Sequence, residues 1–229
     1  MLDDDPLQPT AFFDFDTDAI KGFVDDALRD VDDDDIARAC ALYLKVRDGI
    51  RYNPYVFKSD PKTFSASHVV DEGVSYCIPK AVLLGACARA VGIPSRLGLA
   101  NVKNHLSSPQ LIEFLQSDIF AMHGFIELFL DDKWVKATPA FDAALCERMG
   151  VVPLEFDGRH DSIFHEFTED GLQHMEYLDD HGTFDDVPHA FIMQELERHY
   201  PHLFAAARAR KADEERSLQA DLEANTSSS

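Results

Sequence analysis

Long apolar runs are missing from this chain of 229 residues. No stretch reaches the about 18 residues that a membrane span needs, and the opening MLDDDPLQPTAFFDFD has neither the basic start nor the apolar centre of a secretory leader. A cytoplasmic protein without membrane contact is the expectation. Positive charge is scarce too: Lys and Arg number 21 against 42 Asp and Glu, for a formal net charge of −21. Nucleic acid and anionic lipid draw most of their attraction from clustered cations, so neither is expected as a partner. Solubility is the first explanation of the excess acid, with a preference for cationic substrates as the sharper alternative. Cysteine is sparse. Cys40, Cys77, Cys87 and Cys146 are too few and too scattered for a disulfide framework, and no C-x-x-C spacing points to zinc. Reduced thiols follow.

What is present is enough apolar content, 45%, to bury a full core. One domain over residues 1–204 is expected, with a core at about 36–142 and an extension over 143–204. Residues 205–229 read as a charged, helix-prone tail that frays. The acidic first 35 residues also carry Phe12, Phe13, Phe15, Ile20, Phe23, Val24 and Leu28, the mark of a packed segment and not of a free acidic arm. Asp32 to Asp35 suit the N-terminus of a helix DIARACALYLKVRDGI, because carboxylates there meet exposed N–H groups and the positive dipole end. On that helix Ile36, Cys40, Tyr43, Leu44 and Ile50 mark the inner side, which makes Cys40 a core residue.

A loop over 53–67 leads to GVSYCIPKAVLLGACARAVGIP. Val82, Leu83, Ala86, Ala90 and Val91 recur at helical spacing and predict a helix over 78–91 with one inward face. Pro79 falls in its first turn, where a missing N–H costs nothing, and Gly92 with Pro94 supplies the stop. SRLGLANV has strand character, 107–121 reads as a loop with a short helix, and HGFIELFLDDKWVKATPAF reads as two strands joined by a polar turn at Asp131-Asp132-Lys133. Helices first and antiparallel strands second make an α+β order. His160, His165, His174, His181 and His189 sit among acids, but no H-E-x-x-H and no i, i+4 pair forms, and no EF-hand loop is present. No metal site and no cofactor is expected.

Chemistry centres on Cys77, at the start of its helix. Exposed N–H groups and the helix dipole stabilise a thiolate there and should lower its pKa, whereas Cys87, inside the same helix, should be inert. A thiol attacking an acyl group also needs an imidazole to take and return the proton. His123, expected at the start of the GFIELFL strand, can face a cleft there. With period two it shares a face with Phe125, Glu127 and Phe129.

The blocks GVSYCIPKAVLLGACARAVGIPSRLGLANVKNH and HGFIELFLDDKWVKATPAFD, preceded by LYLKVRDGIRYNPY, resemble the transglutaminase-like superfamily. MEYLDDHGTFDDVP is similar to a C-terminal element of its small bacterial members. The resemblance implies a papain-like α+β core that sets a Cys at a helix start, then a His and an Asp on successive strands. It implies a cysteine-dependent amide hydrolase or acyltransferase, of the cysteine-protease type, acting on a peptide, protein or small amide through Cys77 and His123. One departure stands out: the family's Asp falls at Thr138 in this chain. Asp142, four residues on, is the first candidate to orient His123 through Nδ1, with the Thr138 hydroxyl and Glu127 as alternatives. The Cys77 N–H is one oxyanion donor, and Tyr76, Asn104 and His105 are candidates to line the cleft. Protein crosslinking by transfer to an amine, or a decayed domain that only binds, are the competing functions.

Overall fold

The computed structural model describes residues 7–105, 107–164, 175–206 and 208. In chain order its elements are α1 (Asp18–Ala27), α2 (Asp35–Gly49), β1 (Arg51–Tyr52), α3 (Ala66–Glu72), β2 (Val74–Ser75) and α4 (Cys77–Ala90). There follow β3 (Ser95–Asn104), α5 (Pro109–Leu115), β4 (Ile119–Leu130), β5 (Lys133–Ala137), α6 (Ala143–Met149), β6 (Met175–Phe184) and α7 (His189–His199). Helices of the first half pack on an antiparallel sheet of order β5-β4-β3-β6, the α+β arrangement expected. Among the described residues no helix is long and apolar enough to cross a membrane.

Local chemistry accounts for the main boundaries. Asp34 caps α2 by accepting the Ala37 N–H at 2.9 Å. The β4–β5 hairpin turns on Asp131 and Asp132, whose φ angles of 47° and 60° are the paired left-handed values of a type I′ turn. The acidic N-terminal stretch is indeed packed, with Phe13 and Ile20 fully buried. β6 pairs with β3 along the sheet edge and contains the MEYLDDHGTF run.

Three expectations need correction, the first at Leu44, which is 41% exposed on α2 and not on its inner side. α4 has no single inward face, because every residue from Ile78 to Arg89 is buried, with α1, α2 and α3 on one side and β3 and β4 on the other. Its two cations are satisfied inside the protein: Lys80 Nζ donates to the Arg47 and Ile50 carbonyls at 2.9 and 2.5 Å, and Arg89 donates through Nη2 to the Ser95 carbonyl at 2.8 Å and through Nε to the Ser95 hydroxyl at 3.0 Å. β4 begins at Ile119, so His123 lies within a strand and not at its start. His165 and His174 lie outside the described residues, as does all of the expected tail beyond 208. Among the described residues no three metal-ligating side chains converge.

Candidate active site

α4 meets β4 at its own first residues, and Gly124 makes that approach possible. A Cβ added at Gly124 would stand 2.7 Å from the Ile78 Cα, a backbone atom that cannot swing aside. Cys77 is the first residue of α4, and Tyr76, its N-cap, is extended and makes no side-chain cap bond. The backbone N–H groups of Gly124, Ile78 and Cys77 itself favour a thiolate at this position. Burial outweighs them. It pushes the Cys77 thiol above its ordinary value, so the lowered pKa expected of a helix start is not what the folded chain produces. Cys87, fully buried, is likewise pushed well up, chiefly by burial. Cys40 packs against the core while half-buried.

His123 is 5% exposed, and burial drives its imidazole down to about 4. Its Nε2 is buried with no hydrogen-bond partner among the described residues, and its ring rests against Phe164 at 5.8 Å. Thiol and imidazole are thus both neutral at rest.

The orienting candidates fare differently. Asp142 caps α6, with Oδ1 accepting the Leu145 N–H and Oδ2 the Tyr52 N–H, each at 2.9 Å. Among the described residues no hydrogen bond joins it to His123; its two oxygens are engaged by those backbone donors instead. Glu127 accepts from Arg96 Nε at 2.5 Å, and Arg96 in turn stacks on Trp134 at 4.1 Å. Thr138 is 1% exposed, and its Oγ1 is buried without a partner among the described residues. Ile126 pairs with Ala137, so carrying the register one residue further sets Thr138 opposite Phe125, on the sheet face that His123 shares.

Cys77 and His123 open onto one cavity of about 430 Å³, with Tyr76 and Asn104 also in its walls. Asp142, Thr138 and His105 are not among its lining residues, and His105 instead faces Glu176 at 3.3 Å. Two positioning residues escaped the sequence reading. The β3–β4 ladder shifts between Ala100 and Val102, and Met122, just before His123, takes a left-handed φ of 59°. Asn101 Oδ1 accepts the Met122 N–H at 3.0 Å. Tyr200 Oη accepts the Ala121 N–H and donates to the Ile119 carbonyl, both at 2.7 Å. Together these side chains replace the missing ladder bonds and hold the kink that aims His123. The Asn in LANV and the Tyr in HYPH carry no local motif that could have revealed this.

Residues 23–139 match the model of the transglutaminase-like superfamily, a span that contains Cys77, His123 and Thr138. No curated protein matches the chain. Among solved structures it is similar to one described as "a putative cysteine protease from Cytophaga hutchinsonii", with 13% identity and a TM-score of 0.46. That likeness covers 76% of this chain and 62% of the other, so the chain spans less than two thirds of that protein's length.

Proposed function

The chain belongs to the transglutaminase-like superfamily, and from that premise we propose that it is a cysteine-dependent amide hydrolase working through an acyl-enzyme on Cys77. One observation carries the reading: Cys77, at the start of α4, and His123, on β4, line one cavity. The Cys77 sulfur attacks the amide carbonyl carbon as its proton passes to His123. The oxyanion is met by N–H groups at the helix start. His123 then gives the proton to the leaving nitrogen as the C–N bond breaks, leaving a thioester. Water, losing a proton to His123, attacks that thioester; the acid leaves and the thiol is restored. An amine in place of water would make the same step a transfer.

Because both groups rest neutral, the proton moves with the attack, and His123, held near 4 by burial, stays free to accept it at any pH above that value. Thr138 is the orienting group we favour. Its hydroxyl and the His123 Nε2 are both buried without partners, on one sheet face, and a bond between them would satisfy both. Nδ1 is then the nitrogen that serves Cys77.

The lack of a carboxylate at position 138 favours a second reading, a domain that keeps the fold to bind and no longer turns over. Hydrolysis of a panel of neutral anilides by the full chain separates the two. Turnover lost in both Cys77→Ala and His123→Ala, with circular dichroism unchanged, supports the hydrolase. Turnover that persists in Cys77→Ala, or none in the parent chain, overturns it.

A further inference from the structure

The cavity at Cys77 is lined, among the described residues, by no Asp, Glu, Lys or Arg, in a chain where those four make up 28% of residues. A surface patch of this chain drawn at random would carry several. The walls are aromatic and aliphatic instead. Tyr52 meets Phe141 edge-on at 4.9 Å, Tyr55 meets Phe114 at 4.9 Å, and Phe57 lies between Tyr76 and Phe204 at 5.9 and 6.1 Å. Tyr55 and Phe114 are 49% and 39% exposed, so the apolar surface continues out of the mouth.

Several polar groups in the walls are already occupied, the Tyr200 hydroxyl by the Ala121 N–H and the Ile119 carbonyl among them. Asn53 Oδ1 accepts the Tyr55 N–H at 3.0 Å, and Ser108 Oγ accepts the Leu111 N–H at 3.2 Å. Tyr76, only 8% exposed, keeps its Oη buried without a hydrogen-bond partner among the described residues. Ser107 Oγ is left in the same state. A volume of about 430 Å³ with apolar walls and a few unspent neutral donors suits a drug-sized, uncharged ligand that brings its own hydrogen-bonding group.

We infer that the cavity selects amides carrying a bulky, uncharged, apolar group beside the scissile bond, aromatic or branched aliphatic in kind, with Tyr76 Oη as a neutral polar contact. This rests on the proposed Cys77 chemistry. A charged group has nothing to pair with inside these walls and would lose its water on entry, a cost that no counter-ion offsets. The acidic excess of the chain therefore does not translate into a preference for cationic substrates, since none of it lines the cavity.

The test uses the full chain and a series of iodoacetamides of common reactivity: the parent reagent, N-benzyl, N-hexyl, N-carboxymethyl and N-(2-trimethylammonioethyl). Second-order labelling of Cys77 is followed by mass spectrometry at one fixed pH and normalised to each reagent's rate with glutathione. Burial of as little as two methylenes is worth about tenfold, so the benzyl and hexyl reagents should exceed both charged ones by roughly tenfold or more. Equal rates across the series, a preference for either charged tail, or no labelling by any reagent would overturn the inference. Its failure is separable from that of the hydrolase reading. Loss of tail preference with Cys77-dependent anilide turnover intact sinks only the substrate class, and tail preference without turnover sinks only the hydrolase.

Discussion

Replacing Thr138 by Asp would supply a carboxylate beside the imidazole that lacks one. His123 rests at about 4 because burial is the sole cause acting on it, and nothing anionic offsets that burial. An opposite charge within about 4–6 Å moves a pKa by roughly 1–3 units, so the imidazole should rise to about 5–7. The assay is the pH dependence of Cys77 labelling by iodoacetamide, or of anilide turnover, in the parent chain, Thr138→Asp and the uncharged control Thr138→Asn. In the parent the acid limb should fall near 4, because the neutral imidazole is the working form. Thr138→Asp should carry that limb upward by 1–3 units, and Thr138→Asn should leave it in place. Stability follows with a definite sign. Between the ordinary value of 6.5 and about 4 the unfolded chain takes up a proton that folded His123 refuses, so stability is lost as pH falls through that window and levels off below it. The loss is on the order of 3 kcal/mol, from about 2.5 units at 1.36 kcal/mol each, and it should shrink in Thr138→Asp. A parent acid limb at 6.5 would refute the burial argument. Identical profiles for the Asp and Asn variants would show that position 138 does not bear on His123.

Asp142→Ala removes the acceptor for the Leu145 and Tyr52 N–H groups and should cost about 1–3 kcal/mol in urea unfolding. Rate per folded molecule should stay within about tenfold, and a far larger rate loss at unchanged stability would return Asp142 to the role of orienting His123. Tyr200→Phe strands the buried Ala121 N–H and should cost about 1–3 kcal/mol, with a slower Cys77 reaction as the kink before His123 relaxes; unchanged labelling kinetics would count against the positioning role. Lys80 is held at about 7 by burial, below its ordinary 10.5, so its penalty is in full force below about 7 and fades as pH rises toward 10.5. Lys80→Met should flatten the stability-versus-pH curve across that window, a difference of up to about 5 kcal/mol, and a curve parallel to the parent's would refute the assignment.

The start of α4 at Cys77, its end before Gly92 and the β4–β5 hairpin were legible without coordinates, because a proline in a first turn, a glycine stop and two adjacent turn aspartates act within a few residues of themselves. So was the pairing of Cys77 with His123 as candidates, which follows from a helix start, a nearby strand run and a nucleophile's need for a base, and the fold puts both on one cavity. The ionisation of the pair was not legible. A helix start lowers a thiol pKa by an effect that the sequence displays, whereas the desolvation that wins at Cys77 and His123 depends on β4, Phe164 and the aromatic walls closing around them. Asp142 illustrates the same limit: its distance along the chain from Thr138 suggested a substitute carboxylate, and only the fold decided that two backbone N–H groups reach it first. Tyr200, about 80 residues beyond the strand it holds, could be assigned by tertiary contact alone. The linear chain determined which groups are available and where helices and turns begin; burial and long-range hydrogen bonds, which sum over everything packed nearby, decided the protonation states and the partners those groups have.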